Sequence, residues 1–341
     1  MAYLLKKGDF NSFVELLISK YEVIAPVNNT SNYNEIYPSS NDTNKSSNKT
    51  IKCFSNIPQF QTIKKGEADK LVFNMTLYSP KDFFLPPNET LLKFKKNKIV
   101  EVKSKPKKRV FFMNRCDVNG VHRNDLIMLD EPQDPYYKEK RDNSILIETP
   151  CIASNNCKCV DIDLIDCYDL KLISHEGDYI ININSRKGEE LFDMIKNENK
   201  LFQLTKVAYE PPRHKIYKPK DVKTDNKKTW KRYGEDCLSC SACTVVCPTC
   251  MCFTIDGHLD IDLKSGNKHR DWASCQLLNF SKVAGGFVFR KDRGARGKQR
   301  IHCKFIYFKE KYGYPRCVGC GRCNTACPVG INIFEYYGEL K

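Results

Sequence analysis

The chain has 341 residues, of which 41% are hydrophobic and 28% charged, and its formal net charge is +15. That length suits two folded domains. No run of 18 apolar residues occurs, which excludes an ordinary membrane-spanning helix. The opening MAYLLKKGDFNSF lacks a signal-peptide core, so the expected location is the cytoplasm. Eighteen cysteines in such a chain point to metal binding or redox chemistry rather than to disulfides.

In chain order, residues 9–20 (DFNSFVELLISK) predict an amphipathic helix. Asp9 stands at the capping position, and Phe10, Phe13, Leu16 and Leu17 fall on one face. YEVIAPV follows as a strand. Residues 28–50 are rich in Asn, Ser and Thr and predict a disordered surface loop. Between about 69 and 195, LVFNMTLY, KRVFFM, SILIET and DYIININ predict strands, and GEELFDMIK a short helix. Pro86-Pro87 predict an ordered loop over 80–94. Residues 1–195 therefore form an expected mixed α/β domain within an α+β chain. Residues 196–232 hold 12 Lys/Arg against 4 Asp/Glu and three prolines, and read as a basic linker. Residues 233–341 form the expected second, mainly α-helical ferredoxin-like domain.

Two runs in that second half carry the chemistry. Residues 237–248 read CLSCSACTVVCP and residues 317–328 read CVGCGRCNTACP. Both have the spacing C-x2-C-x2-C-x3-C-P of bacterial [4Fe–4S] ferredoxins. Two x2 spacings wrap three thiolates around three corners of a cubane, and the fourth cysteine reaches the other cluster. One expected ligand set is Cys237, Cys240, Cys243 and Cys327. The other is Cys317, Cys320, Cys323 and Cys247. A structural zinc site would end at two CxxC pairs, whereas here each run continues to a fourth cysteine and the whole run is duplicated. The small residues Ser241, Ala242, Gly319 and Gly321 suit amides turned toward sulfur. WASCQLLNFSKVAGG, within the long insert between the runs, predicts helical pieces.

CPTCMCF, then RDWASCQLLNFSKVAGGFVFRKDRGARGKQRIHCKF, then YGYPRCVGCGRCNTACPVGINI resemble the A subunit of anaerobic sulfite reductase. The beta subunit of sulfhydrogenases has a closely similar pattern. YSPKDFFLPPNETLLKF, Arg115-Cys116-Asp117 and DPYYKEKRDNSILIETPC resemble the N-terminal domain of the same family, so the resemblance spans most of 68–341. WASCQ and the following Arg290-Lys291-Asp292-Arg293-Gly294 lean toward the sulfite reductase subunit. The resemblance implies an electron-transfer subunit with no substrate site of its own. Its partners would be a flavin subunit that oxidises NADH and a sirohaem subunit that reduces sulfite to sulfide. In the alternative, it would be the beta subunit of a sulfhydrogenase or other NiFe hydrogenase.

Other cysteines remain. Cys116, Cys151, Cys157 and Cys159 form a set that could hold a third cluster, with Asp117 as an oxygen ligand or hydrogen-bonding neighbour, or could be buried small hydrophobes. Cys250, Cys252 and Cys275 either meet around a cluster edge or pack beside it. Cys53 and Cys167 read as structural, Cys303 as a free core thiol, and His122 as an ordinary polar contact. The histidines form no metal-ligand pair in sequence. Residues 287–316 hold 10 Lys/Arg against 2 Asp/Glu. Three readings fit this excess: a nucleic-acid stripe, a docking face for acidic subunits, or a solvated surface. A nucleic-acid-binding iron–sulfur protein is the alternative of another class, although no helicase or nuclease motif is present.

Overall fold

The structure, a computed structural model, describes residues 2–28, 57–96, 98–101, 107–162, 164–198, 202–209 and 227–340. Most of the predicted Asn-rich loop, Cys53, and much of the predicted basic linker lie outside these residues. The strands are β1 (Ala2–Leu5), β2 (Glu22–Val27), β3 (Gln59–Ile63), β4 (Asn88–Lys95), β5 (Lys98–Glu101), β6 (Arg109–Asn114), β7 (Ser144–Thr149), β8 (Leu170–His175), β9 (Asp178–Ile183), β10 (Leu204–Val207), β11 (Phe253–Leu259) and β12 (Ser265–Trp272). Eight of them form one sheet in the order β10-β1-β9-β8-β7-β6-β2-β3. Its centre, β2-β6-β7-β8, is parallel, and its flanks are antiparallel.

Central strand β6, RVFFMN, shows why the sheet is covered on both faces. Side chains alternate along a strand. Val110 and Phe112 enter one core with Phe13 and Leu17 of α1 (Phe10–Lys20). Phe111 and Met113 enter the opposite core with Val118 and Val121 of α2 (Arg115–Met128) and Tyr137 of α3 (Pro135–Asp142). Helix α4 (Arg186–Glu198) adds Leu191, Phe192 and Ile195 to the first face. The N-terminal half is thus the mixed α/β layer structure that the sequence predicts.

Several local expectations change. Asp9 occupies the N-cap of α1, but its side chain makes no capping bond. Leu16 is only half-buried, and Val14 takes its place in the core. LVFNMTLY forms no strand, only isolated bridges at Leu71 and Asn74. The stretch around Pro86-Pro87 leads into β4 rather than remaining a loop. Within the stretch read as a linker, β10 pairs with β1 at the edge of the large sheet.

The mainly helical C-terminal domain is also corrected. Helices α5 (Lys227–Asp236), α6 (Ala242–Val245), α7 (Arg293–Phe305), α8 (Tyr307–Tyr312), α9 (Arg322–Thr325) and α10 (Ile333–Gly338) are present. Between the cysteine runs, however, β11 and β12 form a hairpin that joins β4 and β5 in a second sheet, ordered β11-β12-β4-β5. WASCQLLNFSKVAGG is irregular apart from two 3-10 turns, at Leu278–Ser281 and Ala284–Gly286. Gly285 and Gly286 both adopt positive φ, which ends any helix there.

Phe112 is fully buried at the centre of the first core. Phe112→Ala should destabilise the fold by about 3–5 kcal/mol, read as a lower denaturant midpoint under anaerobic conditions.

Candidate metal centres

The two cysteine runs fold alike. Ser239 and Ser241 of the first run have φ of 56° and 68°, and Gly319 and Gly321 of the second have 67° and 74°. Each run thus turns twice through the left-handed region and enters a one-turn helix, α6 or α9. Such turns aim backbone amides at sulfur. The Ser239 amide donates to Cys237 Sγ at 3.3 Å, the Gly319 amide to Cys317 Sγ at 3.4 Å, and the Ile331 amide to Cys327 Sγ at 3.3 Å.

Cys237, Cys240, Cys243 and Cys327 line one cavity, with Tyr233, Gln276 and Arg300 in its wall. These are the four thiols that the crossed ferredoxin spacing puts together, although Cys323 also reaches this wall. In the second set, Cys317, Cys320 and Cys323 lie within electrostatic reach of Cys247. Burial pushes the Cys317 thiol up to about 12 and the Cys243 thiol likewise to about 12. Buried thiols of this kind ionise only when a cation or metal stabilises the thiolate. Clustered soft thiolates with no carboxylate among them suit iron–sulfur clusters.

The basic stretch at 287–316 supplies cations of this kind. Arg296, Arg300 and Lys304 recur every four residues along α7 and are all buried, since that spacing keeps them on one helix face. Arg300 donates to the Cys243 carbonyl at 2.9 Å and to Cys250 Sγ at 3.5 Å, and its Nε has no partner. Lys304 donates to Thr249 Oγ1 at 2.6 Å. Burial opposes both charges, but the surrounding thiols raise both groups above their ordinary range. Neither forms an ion pair with a carboxylate among the described residues. The core of this stretch therefore faces the cysteines rather than presenting a stripe for phosphates.

The N-terminal set is assembled by the large sheet. Asn114 and Thr149 are register partners at the carboxyl ends of the parallel strands β6 and β7. Cys116 and Cys151 follow each by two residues. Cys116 lies in the first turn of helix α2. Functional groups gather at the carboxyl ends of parallel strands in such sheets. Cys157 and Cys159 share a hydrogen bond at 3.2 Å, and Cys159 interacts electrostatically with Cys116 and Cys151. The sequence thus named four thiols that the fold brings together. Asp117 is no free oxygen ligand. It forms a fully buried pair with Arg322, at 2.6 and 2.7 Å. Arg322 also donates to the Thr76 carbonyl at 2.7 Å.

This set abuts the second run. The Lys158 amide donates to the Gly319 carbonyl at 2.6 Å, and Asn156 exchanges side-chain bonds with Asn324 and Thr325. A Cβ on Gly319 would lie 2.6 Å from the Lys158 backbone, and one on Gly321 2.3 Å from the Asn156 carbonyl oxygen.

Of the remaining groups, Cys303 accepts from Arg316 at 3.4 Å, and burial pushes the Cys167 thiol up to about 12. His122 meets the Tyr314 hydroxyl at 3.0 Å. Cross-strand pairing on the β11–β12 hairpin brings His269 together with Asp256 and Asp271, a grouping that sequence spacing does not reveal.

Comparison with known proteins agrees with this geometry. Residues 236–331 match the model of a 4Fe-4S dicluster domain. The chain is 30% identical over 303 residues to the sulfhydrogenase 2 beta subunit of Pyrococcus furiosus, covering 83% of this chain and 89% of that protein. The chain belongs to the family of iron–sulfur subunits that includes the sulfhydrogenase beta subunit. No solved structure matches it. The Pyrococcus furiosus relative is one subunit of a sulfhydrogenase, and the relationship together with the dicluster domain supports an iron–sulfur electron-transfer role for this chain.

Removing one member of a buried ion pair strands the other. Asp117→Ala should therefore lower stability by about 3–5 kcal/mol, measured as a fall in the anaerobic unfolding midpoint, whereas an exposed control such as Asp142→Ala should change it by under about 0.5 kcal/mol.

Proposed function

We propose that this chain is the electron-transfer subunit of a hydrogenase-type complex, the role of a sulfhydrogenase beta subunit. The relationship to that subunit over most of both chains carries the reading over the sulfite reductase one. In this reading Cys237, Cys240, Cys243 and Cys327 hold one [4Fe–4S] cluster, and Cys317, Cys320, Cys323 and Cys247 hold a second. Cys116, Cys151, Cys157 and Cys159 hold a third. Bound clusters of this type accept and release single electrons.

The protein's own residues set the path. The α6 and α9 turns bring the two runs side by side. Asn156 and Lys158 fasten the N-terminal thiols to the second run. The three sets therefore lie in sequence, with the second run in the middle. The relay reaches the surface at Cys240 of the first run and at Cys151 of the N-terminal set, whereas Cys320 is buried. Partner subunits would meet the relay at Cys240, with Leu238, 54% exposed, beside it, and at Cys151, beside the exposed Ile152. Arg300, Lys304 and Arg322 offset the negative charge of the thiolates inside.

The second reading is the A-type subunit of an anaerobic sulfite reductase, passing electrons from an NADH-oxidising flavin subunit to a sirohaem subunit. The WASCQ stretch at 272–276 and Arg290–Gly294 favour it. Anaerobic purification of the chain with its native partners separates the two. Nickel with hydrogen-dependent dye reduction is expected. Sirohaem absorption with sulfite-dependent NADH oxidation would overturn the hydrogenase reading in favour of the second.

Two mutational tests follow. Cys240→Ser and Cys320→Ser should each abolish electron delivery through the complex while a small dye still drives the catalytic partner; unchanged delivery in both would refute the relay. If the N-terminal thiols hold a cluster, Cys157→Ser/Cys159→Ser should hold about four fewer irons per chain than wild type. Equal iron in the two proteins would remove the N-terminal cluster from the scheme.

A further inference from the structure

Three thiols lie outside all three ligand sets and converge in the C-terminal half. Cys250 and Cys252 follow the first run directly. Cys275 comes from beyond β12 and is fixed there because the Ala273 amide donates to the Cys252 carbonyl at 2.8 Å. Cys252 and Cys275 are in mutual hydrogen-bonding contact. Gln276 Nε2 adds a donor to Cys275 Sγ at 3.4 Å, and Arg300 adds one to Cys250 Sγ at 3.5 Å. All three thiols are thus close together, and two of them accept from neighbouring donors.

The same place holds cations and space. Lys81 is buried. Its Nζ donates to the carbonyls of Thr244 and Val245, both at 3.1 Å, and lies 3.9 Å from the Trp272 ring centre. No carboxylate pairs with it among the described residues. Lys81, Thr244, Cys250, Cys252, Trp272 and Ser274 line one cavity. Lys304 interacts electrostatically with Cys250 and Cys252. A buried ammonium without an anionic partner costs several kcal/mol, and an anionic centre in this cavity would remove that cost. Thiolates packed around soft metal supply such a centre.

From this convergence of thiols, cavity and buried lysines, we propose that Cys250, Cys252 and Cys275 bind a further iron–sulfur cluster beside the first ferredoxin run. Three cysteines cover three corners of a cubane. The fourth iron then takes a ligand other than cysteine, next to the Ser274 and Thr244 hydroxyls. The site is additional to the three ligand sets above and does not depend on which catalytic partner the chain serves.

The test compares the complex purified anaerobically from wild type with that carrying Cys252→Ala/Cys275→Ala, assaying iron, acid-labile sulfide, zinc and the EPR spectrum after dithionite reduction. The variant should lose about four irons and four sulfides per chain while the other reduced-cluster signals persist. Unchanged iron would overturn the proposal, and so would loss of zinc in place of iron. Should the double variant lose its other clusters as well, Cys275→Ser decides. It retains an oxygen donor and should keep the iron while moving one EPR signal. A Cys275→Ser spectrum superposable on wild type would overturn the site.

Discussion

The structure depends on how charge is buried. Arg300, Lys304 and Arg322 are almost completely inaccessible to solvent. Moving such groups out of water costs several kcal/mol each unless an anion compensates. Arg322 has Asp117. Arg300 and Lys304 have thiols, and the interior they share contains Cys243, Cys247, Cys250 and Cys323. With every thiol protonated these two cations would stand uncompensated. Metal binding converts the thiols to thiolates and supplies the missing counter-charge. Cluster binding would therefore stabilise the fold of this half of the chain, and the cations would offset the negative charge of the resulting centres.

The N-terminal half is more than a separate module attached by a linker. Its parallel strands β6 and β7 deliver Cys116 and Cys151 to the carboxyl edge of the sheet, and α2 carries Asp117 to Arg322 in the second cysteine run. Asn124, also on α2, donates to the Pro248 carbonyl at 2.9 Å, just after Cys247. The second sheet ties the halves again, because β12 of the C-terminal insert pairs with β4. Arg270 on β12 forms ion pairs with Glu89 and Asp134. These contacts tie the two halves together around the cysteines.

Much of this was legible in the sequence for a specific reason. Thiolate spacing in a ferredoxin run is dictated by the geometry of the cubane, so local sequence carries the site. Strands β2, β6, β7 and β9 were equally plain, since a strand buried on both faces is a continuous apolar run. What escaped was everything set by distant contacts. Strand β4, behind two prolines, and the polar hairpin β11–β12 exist because they pair with each other's sheet, and neither pattern announces it. Arg296, Arg300 and Lys304 looked like part of a solvated or phosphate-binding charge excess. Charge counted along a sequence does not tell which helix face it occupies, and only the four-residue recurrence hinted at a common inward direction. Asp117 looked like a spare ligand until the fold brought Arg322 to it from 205 positions away.

The two cysteine runs differ in a way that reveals their surroundings. Both pass twice through the left-handed region, where a side chain costs roughly 1–2 kcal/mol. The second run uses glycine at both positions, and there the 156–159 loop packs so closely that a Cβ would collide with backbone. The first run uses Ser239 and Ser241 at the equivalent positions and bears the strain. Its Cys240 is exposed, and there Arg296 donates to the Ser239 hydroxyl at 3.2 Å. The same backbone turn is thus built from glycine where a loop packs against it and from serine where the cysteine between the two turns is exposed.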